Sequence, residues 1–122
     1  MNISTLITYL NTISGITSVC SDRIFWGQPR SEQTNTYMTV NVVTEIEPTK
    51  VEKRNRLEFR VIGGDSTVTF GTLATVDTAL LDAIRAYNAQ GVYKSVVAGF
   101  TNLYNEKQQK ILIRDIIIYY TT

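Results

Sequence analysis

The last twelve residues before the C-terminal threonine, Lys110 to Thr121, restrict the fold more than any other segment. Ile111, Leu112, Ile113, Ile116, Ile117 and Ile118 crowd this stretch. Five of the six are isoleucines, whose β-branched side chains suit an extended strand. Successive strand residues point to opposite faces, so a run apolar in both phases has no face made for water. Such a strand lies in the middle of a covered sheet, or is covered on its outer face by a partner. The longest apolar run, Ile116 to Tyr120, is far below the ~20 residues of a membrane helix.

The rest of the chain supplies the remaining layers. Leu57, Phe59 and Val61 alternate with Arg56, Glu58 and Arg60, the pattern of a strand with one charged solvent face. Before it, Met38, Val40 and Val42 alternate with Thr39 and Asn41 in a strand that starts at Tyr37. The run from Glu45 through Pro48 interrupts that strand, and the pair reads as a long hairpin with a charged tip. Tyr93 to about Leu103 is a further strand, joined to the last one by the polar turn Asn105 to Gln109. Ile3, Leu6, Ile7, Leu10 and Ile13 recur at helical spacing, with Asn2 as N-cap and Gly15 as the residue after the end. A second helix is predicted from about Thr67 to Asn88, with Leu73, Val76, Leu80, Ala83, Ile84 and Tyr87 on its inner stripe. Asp65 or Ser66 would cap it and Gly91 would end it. Residues 23–36 read as an extended loop.

The expected fold is α+β: a mostly antiparallel sheet of about four strands with two helices packed on one face, in the order α-β-β-α-β-β, as one domain over residues 1–122. Leu6, Leu10, Phe59, Val61, Leu80, Ile84, Ile113 and Ile117 are expected to be buried together.

Little in the chain suggests chemistry. There is no histidine, which removes the commonest general base and metal ligand. Cys20 is the only cysteine, which fits a small buried apolar residue and excludes an internal disulfide. The carboxylates are scattered and lack calcium-loop spacing. Gly63-Gly64-Asp65-Ser66-Thr67 precedes a helix but lacks the lysine of a phosphate-binding loop. No catalytic, cofactor-binding or metal-binding residue is expected, and the protein is read as a non-enzyme. A net charge of +1 argues against a surface built for nucleic acid phosphates. The N-terminus lacks the basic and apolar regions of a secretory signal, so a soluble protein folding in cytoplasm, without membrane contact, is expected.

Binding and assembly remain. Residues 45–60 are the most charged stretch and fit either a solvated strand face or a docking surface. Arg114 and Asp115 interrupt an apolar strand, which implies an intramolecular pair, a place near a sheet edge, or an ion pair between subunits. The residues expected at a protein interface are Phe25, Trp26, Arg30, Glu47, Lys50, Glu52, Lys53, Arg54, Arg114 and Asp115.

The layout resembles the tail-completion or tail-terminator proteins of long-tailed bacteriophages, the group of minor tail protein U. After a short first helix, Ser21-Asp22-Arg23-Ile24-Phe25-Trp26-Gly27-Gln28-Pro29 is similar to the family's segment with Asp-Arg-Ile, an aromatic and a proline. Tyr37-Met38-Thr39-Val40 follows, then Arg56 to Gly63 and the helix core Leu73 to Ile84. The family has a fuller proline-rich run where this chain has Pro29 alone and a polar stretch from Ser31 to Thr36. The resemblance implies a virion protein of the tail or neck, put together in the bacterial host's cytoplasm. It implies a self-associated ring, commonly of six copies, that caps the tail tube, stops tube polymerisation and offers a surface to the head connector. A head–tail connector or tail-tube subunit is the alternative within that class. A small-ligand-binding or nucleic-acid-binding α+β domain is the reading outside it.

Overall fold

The computed structural model describes residues 1–49 and 51–121. Lys50, one of the expected interface residues, lies outside the described residues. The elements run α1 (Ile3–Leu10), α2 (Ser14–Cys20), β1 (Ile24–Trp26), β2 (Tyr37–Ile46), β3 (Glu52–Ile62), α3 (Phe70–Ala86), β4 (Val92–Tyr104) and β5 (Lys110–Thr121). The fold is α+β, with three helices and a five-stranded mixed sheet in the order β1-β2-β3-β5-β4. Only β1–β2 is parallel; the other three pairings are antiparallel.

The first apolar stretch is two helices, not one. Asn2 caps α1 as its sequence position predicts, its side chain accepting from the Thr5 N–H. The chain then turns, and Ile13, with extended backbone, starts α2 at 89° to α1. Gly15 therefore does not end a helix. It lies in the first turn of α2, where a Cβ would sit 2.6 Å from the Ala79 Cβ on α3. Its lack of a side chain allows close helix packing.

β1 lies inside the segment expected to be loop. Three residues are too few to show a period, and the strand exists through β2: Ile24, Phe25 and Trp26 stand opposite Met38, Thr39 and Val40. The Arg23 side chain ties the intervening loop down, its Nε donating to the Thr36 carbonyl at 3.0 Å and Nη2 to the Val19 carbonyl at 3.2 Å. β2 also runs further than expected. An irregularity between Val42 and Thr44 shifts the register, after which Glu45 pairs with Asn55 and Ile46 with Arg54. Thr69, not Asp65 or Ser66, caps α3 by accepting from the Thr72 N–H. Asp65 shapes the preceding turn by accepting from the Thr67 N–H. α3 ends at Ala86, and Gly91 (φ +76°) instead makes the turn into β4.

One core joins the helices to one face of the sheet. Leu6, Leu10, Ile16, Leu73, Val76, Leu80 and Ile84 pack with Met38, Val40, Leu57, Phe59 and Val61. β5 is an inner strand, between β3 and β4, as its composition requires. Its inward phase is Leu112, Ile116, Ile118 and Tyr120. The expected core residues Ile113 and Ile117 are only half-buried, on the opposite face. Both phases of β5 are apolar, so periodicity could not select between them.

Candidate assembly surface

The helices occupy one side of the sheet, which leaves its other face open. Cross-strand partners in an antiparallel ladder share a face. On this open face, Arg54, Arg56, Glu58 and Arg60 of β3 stand beside Tyr119, Ile117, Asp115 and Ile113 of β5. Lys94, Val96, Gly99 and Thr101 of β4 continue the rows. A charged row thus runs beside a half-buried row that is apolar except at Asp115.

The charges are held within the chain. Arg56 Nη2 donates to Asp115 Oδ2 at 2.8 Å, and Arg60 Nε donates to Glu58 Oε1 at 2.6 Å. Glu58 and Asp115 are directly opposed, so each arginine neutralises one of two adjacent carboxylates. Asp115 Oδ1 is shielded from solvent without a hydrogen-bond partner. The Arg54 guanidinium lies 5.3 Å from the Tyr119 ring centroid, with Lys94 Nζ 5.0 Å from the same ring. Lys53 Nζ is 3.2 Å from Glu47 Oε1, and Glu52 accepts from the Tyr93 hydroxyl at 3.0 Å.

Arg114 is separate from this group. It points toward the helices and forms two hydrogen bonds with Asp77 of α3, at 2.9 and 2.5 Å. Its guanidinium also lies 4.6 Å from the Phe100 ring centroid. The Asp77 hydrogen bond pushes the Arg114 pKa above its ordinary value, so the guanidinium stays charged. Adjacent in sequence, Arg114 and Asp115 thus serve opposite faces, each with a partner in the same chain.

Phe25, Trp26 and Arg30 gather at the β1 edge. With Ile7, Ile24 and Gln28 they line an open cavity of about 430 Å³. Phe25 packs edge-on against Tyr37, at a centroid distance of 6.0 Å, while Trp26 is 59% exposed.

Sequence reasoning did not place β4 in the site. Tyr93, Val96, Val97, Phe100 and Tyr104, all on this strand, are five of the nine large exposed hydrophobic side chains among the described residues. A signal was present, because Ser95 to Asn105 has no charged residue. Natural sheets usually guard an exposed edge with charge or proline. Val43, Ile46 and Val51 make the hairpin end apolar as well as charged.

The described residues contain no group of three or more histidine, cysteine, aspartate or glutamate side chains able to hold a metal ion. Burial pushes the Cys20 thiol up to about 11, which keeps it protonated and unreactive near neutral pH. No single helix among the described residues is long and apolar enough to cross a membrane.

No protein-family model matches the sequence, and no curated protein matches it. The structure is similar to a solved chain described as "Virion of native gene transfer agent (GTA) particle". The TM-score is 0.73 at 14% identity, over 94% of this chain and 90% of the other. At that identity the likeness establishes a shared fold over nearly the whole of both chains.

Proposed function

We propose that this chain is a structural, non-enzymatic protein of a phage-like virion. In this reading, copies form a ring, of six subunits, at the end of a tail tube. The ring stops tube growth and presents a joining surface to the head connector. The work is done in the tail or neck of the particle, after assembly in the bacterial host cell. The observation that carries the reading is a fold shared over 94% of this chain and 90% of a chain of a virion particle. The surface is consistent with it: exposed apolar side chains are concentrated on β4 and the hairpin end, with Trp26 exposed on β1, positions suited to protein contacts.

Electron microscopy of particles made with and without this protein tests the role. Loss of the protein should give tails of uncontrolled length that fail to join heads, and adding it back should restore both. Purified protein that grows into long filaments would replace the capping role with that of a tube subunit. Normal, head-joined tails without the protein would remove it from tail assembly.

A further inference from the structure

The two edges of the sheet differ, and each has what the other lacks. At one end, β1 is three residues long and borders the cavity between α1 and residues 28–33. At the other end, β4 spans thirteen residues and carries exposed aromatic and aliphatic side chains. Lys94 is its only charged residue. The strand directions also agree. β1 runs with β2, β2 runs against β3, β3 against β5, and β5 against β4. β4 therefore runs opposite to β1, and a second copy set beside the first in the same orientation meets it as an antiparallel pair.

We infer that the β4 edge of one copy docks on the β1 edge of the next, with β4 side chains such as Val97 and Phe100 covering Trp26 and the cavity beside it. The inference rests on the proposed ring and names the surfaces that build it. β1 is short, so backbone ladder bonds are few and side-chain packing provides most of the contact. An edge about 40 Å long (~3.3 Å per residue) and roughly 15–20 Å deep, for a sheet with one helix layer, offers on the order of 700 Å². Stable complexes bury about 600–1,000 Å² per partner, and the β4 edge lies within that range. The contact is heterologous: the two surfaces differ, every copy has one of each, and rotation from copy to copy closes a ring.

Two edge variants in a mixing experiment decide the matter. One carries Val97→Lys with Thr101→Lys on β4, and the other carries Trp26→Lys with Gln28→Lys beside the cavity. All four side chains are at exposed or partly exposed positions, and matched melting temperatures check that both variants fold. Native mass measurement should find wild type in a closed assembly larger than a dimer and each variant alone as a monomer. An equal mixture should give a one-to-one heterodimer, through the intact β4 edge of one variant and the intact β1 edge of the other. The inference is overturned by wild type that stays monomeric at its highest soluble concentration. It is also overturned by either variant assembling like wild type, by the Trp26 variant forming dimers alone through β4–β4 pairing, or by an unpaired mixture. Failure of the capping role is separate, because it appears as tails left uncapped by a protein that still forms its rings.

Discussion

Arg114 reaches from the middle of β5 to Asp77 on α3, making two parallel hydrogen bonds across the interface between sheet and helix. The Asp77 and Arg114 side chains are 8% and 14% exposed, so neither charge has much water available if its partner goes. Removing one member of a buried pair leaves an uncompensated charge and costs about 3–5 kcal/mol. Asp77→Ala should lower stability by that order in chemical denaturation. The double variant Asp77→Leu with Arg114→Met should lose clearly less, because an apolar pair of similar volume leaves no charge behind. Equal losses in the single and double variants would mean that the pair contributes through packing alone.

The phase of β5 gives a second test. Ile116 is 1% exposed and faces the core, while its neighbour Ile117 lies on the open face. Ile116→Ala should cost about 2–5 kcal/mol, as should Leu80→Ala on α3. Ile117→Ala should cost about 1 kcal/mol or less in the isolated subunit, since it leaves no enclosed cavity. A loss for Ile117→Ala equal to that for Ile116→Ala would reverse the assigned faces.

Much of the fold was legible where one period dominates. Leu57, Phe59 and Val61 against Arg56, Glu58 and Arg60 fix both faces of β3, and the stripe of α3 is buried from Leu73 to Ile84. Legibility failed where tertiary contacts decide. β1 has only three residues and owes its form to β2, and Gly15 reads as a helix end until Ala79 is placed beside it. The surface was harder to read than the core. Charge drew attention to residues 45–60, but the structure pairs most of those charges internally. The apolar edge of β4 looked like any strand, because exposure depends on which strands have neighbours.

Gly15 reverses an ordinary expectation. Replacing glycine by alanine inside a helix normally stabilises by about 1 kcal/mol. Here the added methyl would meet the Ala79 Cβ at 2.6 Å, and a Cβ cannot move without its backbone. Gly15→Ala should therefore destabilise by about 1–3 kcal/mol, the usual cost of overpacking. A rise in melting temperature would show that α2 can shift off α3 freely.

Cys20 links stability to alkaline pH. Burial raises its pKa from 9.0 to about 11, so the folded state favours the neutral thiol more than the unfolded chain does. For a raised pKa, the stabilisation is fully present below the unfolded value and is lost as pH rises through the folded one. The window is thus from about pH 9 to pH 11. The full effect is on the order of 2–3 kcal/mol at 1.36 kcal/mol per pKa unit. Denaturation curves at pH 8 and pH 11 should show a smaller alkaline loss in Cys20→Ala than in wild type. Tyrosine ionisation is common to both proteins and cancels in the comparison. Identical losses would indicate a thiol that ionises as readily folded as unfolded.

Lys53 and Arg54 are adjacent on β3 but should respond differently to charge reversal. Lys53 forms an ion pair with Glu47, whose side chain is 63% exposed. Exposed pairs of this kind contribute about 0–1 kcal/mol, so Lys53→Glu should leave the melting temperature nearly unchanged. Arg54 is half-buried with its guanidinium over Tyr119, and its Nε is shielded from solvent without a partner. Arg54→Glu removes that cation–π contact, worth about 0.5–2 kcal/mol, and puts a carboxylate against the electron-rich ring face. It should therefore destabilise measurably, whereas Arg54→Lys should recover part of the loss by restoring a cation. If the hairpin also meets a partner protein in the proposed particle, Lys53→Glu should impair that joining at unchanged stability, because like charges opposed across an interface cost several kcal/mol. Heads and tails that join at normal yield with Lys53→Glu would exclude this lysine from the contact, and equal melting temperatures for Lys53→Glu and Arg54→Glu would show that the Tyr119 contact does not hold β3 in place.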